Sequence, residues 1–247
     1  MTTSQQARRA QLRDSIAALR GRVAAACRDA GRDPAELTVV AVTKFFPASD
    51  VRLLAQLGVT DMGENRDQEA GPKYADVRAD TPGLTLHFIG QLQTNKARSV
   101  ASYADVVQTV DRPKLARALD RAAHEAGRRL RVLVQVNLDQ GGMPGADRPD
   151  GGHRGGVAPG DAPALADLVE GCPALRLCGV MGVAPVNGDA DGAFARLAQV
   201  AAGIRATHPE ATWMSAGMSG DLEAAVRHGA THLRVGTAIL GSRPPLR

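Results

Sequence analysis

Residues 37–44 read LTVVAVTK, a continuously apolar run that ends at Lys44. A run without polar alternation is typical of a strand that is buried on both faces of a parallel sheet. Seven more short runs of this kind follow, so the sequence predicts eight strands. They are Leu37–Thr43, Val59–Gly63, Leu84–Ile89, Val106–Val110, Arg131–Asn137, Leu175–Val183, Thr212–Ala216 and His232–Ile239.

The stretches between these strands carry apolar residues three and four positions apart, which indicates helices. The same spacing predicts a helix over residues 1–31, before the first strand, because an apolar stripe runs from Leu12 to Cys27. The other predicted helices are Asp50–Leu57, Asp67–Val77, Arg112–Ala126, Pro163–Glu170, Ala190–Ala206 and Asp221–His228.

Strands that alternate with helices place the chain in the α/β class. Eight such units predict a single (β/α)8 TIM-type barrel with an extra N-terminal helix, formed as one domain by residues 1–247. A doubly wound open sheet is the alternative. It is disfavoured because no GxGxxG motif follows the first strand.

Composition excludes several classes of function. The net charge is +4, but the basic residues are scattered and aromatic residues make up 3% of the chain, which argues against nucleic-acid binding. The three cysteines form no CxxC pair, so we expect neither disulfides nor a metal site, and a reducing cytoplasm fits best. No apolar stretch is long enough to span a membrane.

Residues 139–161 interrupt the regular alternation, with eight glycines and three prolines. The segment is too polar to pack, so we predict a flexible Gly-rich loop after the fifth strand. In a barrel this loop would emerge on the face that carries the active site. It could act as a lid or be a tolerated insertion.

Lys44 is the first candidate for chemistry. Only four of the 30 basic residues are lysines, and this one directly follows an apolar strand. A partly desolvated amine can lose its proton and attack an aldehyde, whereas a guanidinium cannot. An ordinary solvated lysine at a strand end is the alternative.

Two glycine-containing loops follow the last two strands. They read GMSGD at residues 217–221 and RVGT at residues 234–237. In β/α barrels a phosphate site is often built from the loops after strands seven and eight. We therefore expect an anion to bind between them, although Ser219 or Asp221 could simply cap the following helix. After the second strand, Glu64 and Asn65 could likewise have only structural roles.

Six ordered blocks of the chain resemble the pyridoxal phosphate homeostasis proteins, which are similar to the barrel half of alanine racemase. The blocks are AVTK (41–44), MGENRDQEA (62–70), HFIGQLQTNKA (87–97), VLVQVNLD (132–139), GVMGV (179–183) and MSAGMSGDLEAAVRHGATHLRVGTAILGSR (214–243).

The resemblance implies pyridoxal 5'-phosphate (PLP) as cofactor, held as a Schiff base on Lys44. It also implies a role for each of the other site residues. Ser219 and the amides around Met218, Gly236 and Thr237 would hold the phosphate, Arg234 would face the pyridine nitrogen, and Asn65 would lie near the ring hydroxyl.

By the same resemblance the protein would be a cytoplasmic monomer that carries PLP without turnover and serves PLP-dependent apo-enzymes. A permanent cation at Arg234 weakens the ring as an electron sink, and the chain ends soon after strand eight, without a second domain to supply a base. Two alternatives stay open. One is a PLP-dependent amino-acid racemase or lyase, and the other is a cofactor-free Schiff-base aldolase that acts on a sugar phosphate.

Overall fold

The computed structural model describes residues 2–139, 155–186 and 188–242. Eight parallel strands pair in chain order, and the last pairs with the first to close a barrel. The predicted fold class is therefore confirmed. The strands are β1 (Thr38–Val42), β2 (Asp61–Glu64), β3 (Thr85–Phe88), β4 (Val106–Val110), β5 (Leu130–Val136), β6 (Leu175–Gly182), β7 (Trp213–Ser215) and β8 (His232–Val235).

Helices surround the barrel and cover the outward faces of the strands. Those in the described part of the chain are α1 (Thr3–Asp29), α2 (Ala48–Gln56), α3 (Asp67–Arg78), α4 (Ala97–Tyr103), α5 (Pro113–Glu125), α6 (Ala162–Glu170), α7 (Ala190–Thr207), α8 (Leu222–Arg227) and α9 (Thr237–Leu240). None of these helices is both long and apolar enough to cross a membrane.

The main hydrophobic core lies between the strands and the helices. Fully buried side chains such as Leu54, Leu115 and Phe194 fill it. A smaller cluster of Val106, Leu133 and Met181, on three adjacent strands, lies apart from that core, inside the barrel. Several polar side chains are also buried in the barrel interior.

The N-terminal helix forms as predicted. The apolar stripe from Leu12 to Cys27 is buried, and Thr2 caps the first turn. Arg32, just beyond the helix, donates hydrogen bonds to the carbonyl oxygens of Val226 (2.9 Å) and Ala230 (2.8 Å). These contacts fix α1 beside α8 and the start of β8.

The structure differs from the prediction in one helix that was missed and in the end of the last strand. Helix α4 was not predicted, because its seven residues are too few to show a clear apolar period. The last strand was predicted to reach Ile239, but β8 ends at Val235 and Thr237–Leu240 form a helical turn. A short apolar run does not distinguish a strand from a buried helix, and here the chain turns at Gly236.

The predicted loop at 139–161 falls largely outside the described residues, which omit 140–154. Its last part is described, and there it contacts the end of β5. The Val157 amide donates to the Gln135 carbonyl (2.8 Å), and the Asn137 amide donates to the Val157 carbonyl (2.9 Å). Residues 155–157 therefore pair with the end of β5 as an isolated parallel bridge.

Candidate functional site

The predicted site residues follow strands whose carboxyl ends share one mouth, as a closed parallel barrel requires. Lys44 follows β1, Asn65 follows β2, and the glycine-containing loops follow β7 and β8. The loop after β8 lies against β1, because a Cβ placed on Gly236 would be 3.4 Å from the Val42 Cβ. Gly236 therefore packs against Val42, which lies two residues before Lys44 in the chain.

Two lysines lie near the mouth, and their amines differ. The Lys73 Nζ donates to the Glu64 Oε1 (2.7 Å) and to the Thr43 carbonyl oxygen (3.0 Å). The half-buried Lys44 has no hydrogen-bond or ion-pair partner among the described residues, and its Nζ lies 5.8 Å from the centre of the Phe45 ring. The Lys73 amine is thus paired with a carboxylate, whereas the Lys44 amine has no such contact in the described part of the chain.

Glu64 is fully buried, and its Oε1 also accepts a hydrogen bond from the Thr43 hydroxyl (2.7 Å). Burial raises the pKa of Glu64, against the opposing charge of Lys73. Arg66, two positions further along the chain, pairs with Glu69 (3.1 Å) and not with Glu64. Glu64 and Lys73 together anchor the backbone at Thr43, directly before Lys44.

Phe45, directly after Lys44, has φ of 69° and is the one non-glycine with positive φ in the described part of the chain. A bulky residue in the left-handed region is strained, and such strain concentrates at functional sites. The Arg66 guanidinium lies 5.1 Å from the centre of the Phe45 ring. The turn that presents Lys44 therefore holds a conformation that the surrounding packing must enforce.

Arg234 is buried at the end of β8, with 4% of its surface exposed. Its NH1 donates to the Ser215 Oγ (2.6 Å) and its NH2 donates to the Gly182 carbonyl oxygen (2.8 Å). Burial lowers the pKa of Arg234 to about 10, so the guanidinium keeps its charge at neutral pH. Its Nε–H donates to no acceptor in the part of the chain that the structure describes.

The loops after β7 and β8 meet. The Ala238 amide donates to the Ser219 Oγ (3.4 Å), and the Arg22 NH1 of α1 donates to the Ser219 carbonyl oxygen (2.6 Å). Gly217 has φ of 89°, and a Cβ there would lie 2.6 Å from the Ala225 Cβ, so only glycine fits. The two loops are close enough to contact one small anion.

The free donors in these loops differ from the set that the resemblance implied. The Met218 amide already donates to the Asp221 Oδ1 (2.6 Å) and is not available to a ligand. The amides of Ser219, Gly220, Gly236 and Thr237 have no acceptor among the described residues. We therefore place the Met218 amide in the loop's own structure. Asp221 occupies the N-cap position of α8 but makes no side-chain capping hydrogen bond there.

Three buried acceptors lack a donor in the described chain. They are the Glu64 Oε2, whose carboxylate is paired with Lys73, and the amide oxygens Asn65 Oδ1 and Gln135 Oε1. Buried acceptors without partners are uncommon, because each costs about 1–3 kcal/mol. Together with the free loop amides and the Nε–H of Arg234, the two amide oxygens form a donor and acceptor set that fits a ligand with an anionic tail and a polar aromatic ring.

Sequence reasoning missed several residues at or below the site. Ser215 contacts Arg234 directly, and Gln108 and His87 follow Ser215 in one row of hydrogen bonds. Lys73 contacts Thr43, directly before Lys44. The interior position of Gln108 in a valine-rich strand, VVQTV, was the available signal. Among the described residues, no three His, Cys, Asp or Glu side chains are grouped to hold a metal ion.

The sequence of this chain matches known proteins over nearly its whole length. Residues 15–244 match the family model described as "Alanine racemase, N-terminal domain". A pyridoxal phosphate homeostasis protein from Mycobacterium bovis is 42% identical and covers 96% of this chain and 94% of its own length. The protein of that name from Escherichia coli K12 is 34% identical, with 93% and 95% covered.

Solved structures agree. PipY from Synechococcus elongatus, with PLP bound, is 33% identical, has a TM-score of 0.77, and covers 94% of this chain and all of its own. An alanine racemase from Clostridium difficile, 11% identical with a TM-score of 0.66, shares the fold over 93% of this chain and 56% of its own. The chain belongs to the pyridoxal phosphate homeostasis protein family and is built on the alanine racemase N-terminal fold.

Proposed function

We propose that this protein carries PLP, bound covalently to Lys44 as a Schiff base, and serves intracellular PLP homeostasis without turnover. The observation that carries the proposal is the contrast between two amines. Lys73 is paired with a buried carboxylate, whereas Lys44 has no such partner among the described residues. An amine that is not held by a carboxylate is available as a nucleophile toward an aldehyde.

Each side chain of the site would have a definite task. Lys44 would hold the aldehyde carbon of PLP through its amine nitrogen, with loss of one water molecule. The Ser219 hydroxyl and the amides of Ser219, Gly220, Gly236 and Thr237 would donate to the phosphate. Arg234 would donate its Nε–H to the pyridine nitrogen, and the Asn65 Oδ1 would accept from the ring hydroxyl.

The relatives support this assignment of ligand. The curated relatives are named for pyridoxal phosphate homeostasis, and a PipY structure contains bound PLP. Bound PLP supplies an electrophilic aldehyde and an aromatic ring that can accept electrons. The free donors at the two loops suit its phosphate, and the unpartnered Asn65 oxygen suits its hydroxyl.

The charge of Arg234 supports the proposed absence of turnover. A guanidinium that stays cationic at neutral pH disfavours a proton on the pyridine nitrogen, and an unprotonated ring is a weaker electron sink. Burial raises the pKa of both tyrosines, Tyr74 and Tyr103, which disfavours the ionised form that a tyrosine base at the mouth would need. We further propose a cytoplasmic monomer that delivers PLP to apo-enzymes.

Absorption spectroscopy of purified protein incubated with PLP tests the proposal. We expect a visible band that persists in Lys73→Arg, which keeps the charge next to Glu64, and disappears in Lys44→Arg. Amino acids in deuterated water should exchange their α-hydrogen no faster than with free PLP. A band of equal strength in Lys44→Arg would refute covalent binding there. Exchange at an enzymatic rate would favour the racemase or lyase alternative.

A further inference from the structure

A row of buried polar side chains crosses the barrel interior from Arg234 to Asp61. The Arg234 NH1 donates to the Ser215 Oγ (2.6 Å), and that hydroxyl donates to the Gln108 Oε1 (2.7 Å). The Gln108 Nε2 lies 2.9 Å from the His87 Nδ1, and the His87 Nε2 lies 2.9 Å from the Asp61 Oδ1. We call these five side chains the barrel relay.

The two ends of the barrel relay fix the direction of every hydrogen bond in it. A guanidinium only donates, and an ionised carboxylate only accepts. The Ser215 hydroxyl must therefore point to Gln108, and the Gln108 amide group must point to His87. His87 is then neutral, with its proton on Nε2, in line with the burial that lowers its pKa.

Burial shields the hydrogen bonds of the barrel relay from solvent. Ser215, Gln108 and His87 are fully buried, so water does not replace a lost link. Asp61 is the accessible end, with 22% of its side chain exposed. Burial acts to raise its pKa, but the hydrogen bonds with His87 and Thr60 and the neighbouring histidines together lower it. Side chains on β2, β3, β4 and β7 thus act on the orientation of the Arg234 guanidinium on β8.

We propose that the barrel relay positions Arg234 toward the cofactor ring, and that Ser215, Gln108 and His87 are positioning residues for PLP. This inference rests on the proposed function, because it assumes that Arg234 faces the pyridine nitrogen. With NH1 held by Ser215 and NH2 held by Gly182, the guanidinium cannot rotate, and its Nε–H keeps one direction. The relay therefore determines the hydrogen bond that the ring nitrogen receives.

The test measures PLP affinity and the ¹⁵N resonance of the ring nitrogen with labelled PLP. Ser215→Ala and Gln108→Leu cut the relay, and we expect a Kd roughly tenfold higher and a displaced ¹⁵N resonance. Thr81→Val is the control, because it removes a hydroxyl hydrogen bond of the same 2.6 Å length outside the barrel. It should change neither quantity.

A rescue experiment distinguishes a relay from separate structural contacts. Gln108→Glu places a second acceptor opposite His87, which cannot then satisfy both neighbours while neutral. Adding Asp61→Asn supplies a donor at the other end, so His87 can reverse its tautomer and the row is complete again. We expect Gln108→Glu alone to weaken binding, and the double variant to return to within about threefold of wild type.

The outcomes are separable from those of the proposed function. If the wild type does not load PLP on Lys44, the proposed function fails before the relay is tested. If the wild type loads normally and Gln108→Glu, folded by circular dichroism, keeps the wild-type Kd and ¹⁵N resonance, the relay inference is overturned. Should Ser215→Ala or Gln108→Leu fail to fold, the isosteric pair Gln108→Glu and Asp61→Asn decides the question, and no rescue in the double variant would also overturn it.

Discussion

The ion pair between Lys73 and Glu64 allows a quantitative prediction about the support of Lys44. Glu64 is fully buried, and Lys73 has only 10% of its side chain exposed. Removing one partner of a buried pair leaves an uncompensated charge, which costs about 3–5 kcal/mol. We predict that Lys73→Met lowers the free energy of unfolding by this amount at neutral pH, or the melting temperature by roughly 6 to 20 °C for a domain of this size.

The pH dependence of this loss has a definite sign. Burial raises the pKa of Glu64 in the folded protein, so the folded state binds more protons than the unfolded state between the ordinary and the raised value. Stability therefore falls as the pH rises through that window. Without Lys73 the pKa is raised further, and we expect the difference between wild type and Lys73→Met to shrink as the pH falls from 8 to 5.

Urea denaturation at several pH values measures the effect. Arg52→Met serves as the control, because Arg52 pairs with the exposed Asp76 and Asp80, and such surface pairs contribute less than about 1 kcal/mol. The double variant Lys73→Met with Glu64→Leu should recover much of the lost stability. A loss below about 1 kcal/mol in Lys73→Met, or a loss that grows toward acid pH, would contradict the reasoning.

Two further predictions concern a glycine and the phosphate loops. Gly179→Ala should prevent folding or destabilise the protein by more than about 4 kcal/mol, because its Cβ would lie 1.8 Å from the Trp213 carbonyl oxygen. Gly203 lies on an open helix face, so Gly203→Ala should stabilise the protein by about 0.5–1 kcal/mol. Thermal denaturation measures both effects. Ser219→Ala should raise the Kd for PLP roughly tenfold but leave binding of pyridoxal, which lacks the phosphate, unchanged in titration. Equal losses for both ligands would remove Ser219 from the phosphate site.

The strands of the barrel could be predicted because each is a local apolar run that does not depend on its neighbours. Helix α4 and the end of β8 could not, since Ala97–Tyr103 is short and the run after Arg234 reads as a strand until the backbone turns at Gly236. Lys44 was predicted as the reactive amine because a lysine at the end of a buried strand is unusual in a chain so rich in arginine.

The barrel relay was invisible in the sequence for a different reason. Its five members lie on five strands, and the hydrogen-bonded pair farthest apart in sequence, Gln108 and Ser215, is separated by 107 positions. Which interior side chains meet depends on the stagger of the closed sheet, which no local pattern encodes. Asp61 and His87 each resemble an ordinary polar residue near a strand until the barrel closes.

Borohydride reduction of the PLP-loaded protein, followed by peptide mass spectrometry, tests the covalent assignment most directly. We predict one pyridoxyl adduct, on the peptide that contains Lys44, and no adduct in Lys44→Arg. An adduct on Lys73, Lys96 or Lys114 instead, or no adduct on protein that retains its colour, would contradict the assignment of Lys44 as the amine that holds the cofactor.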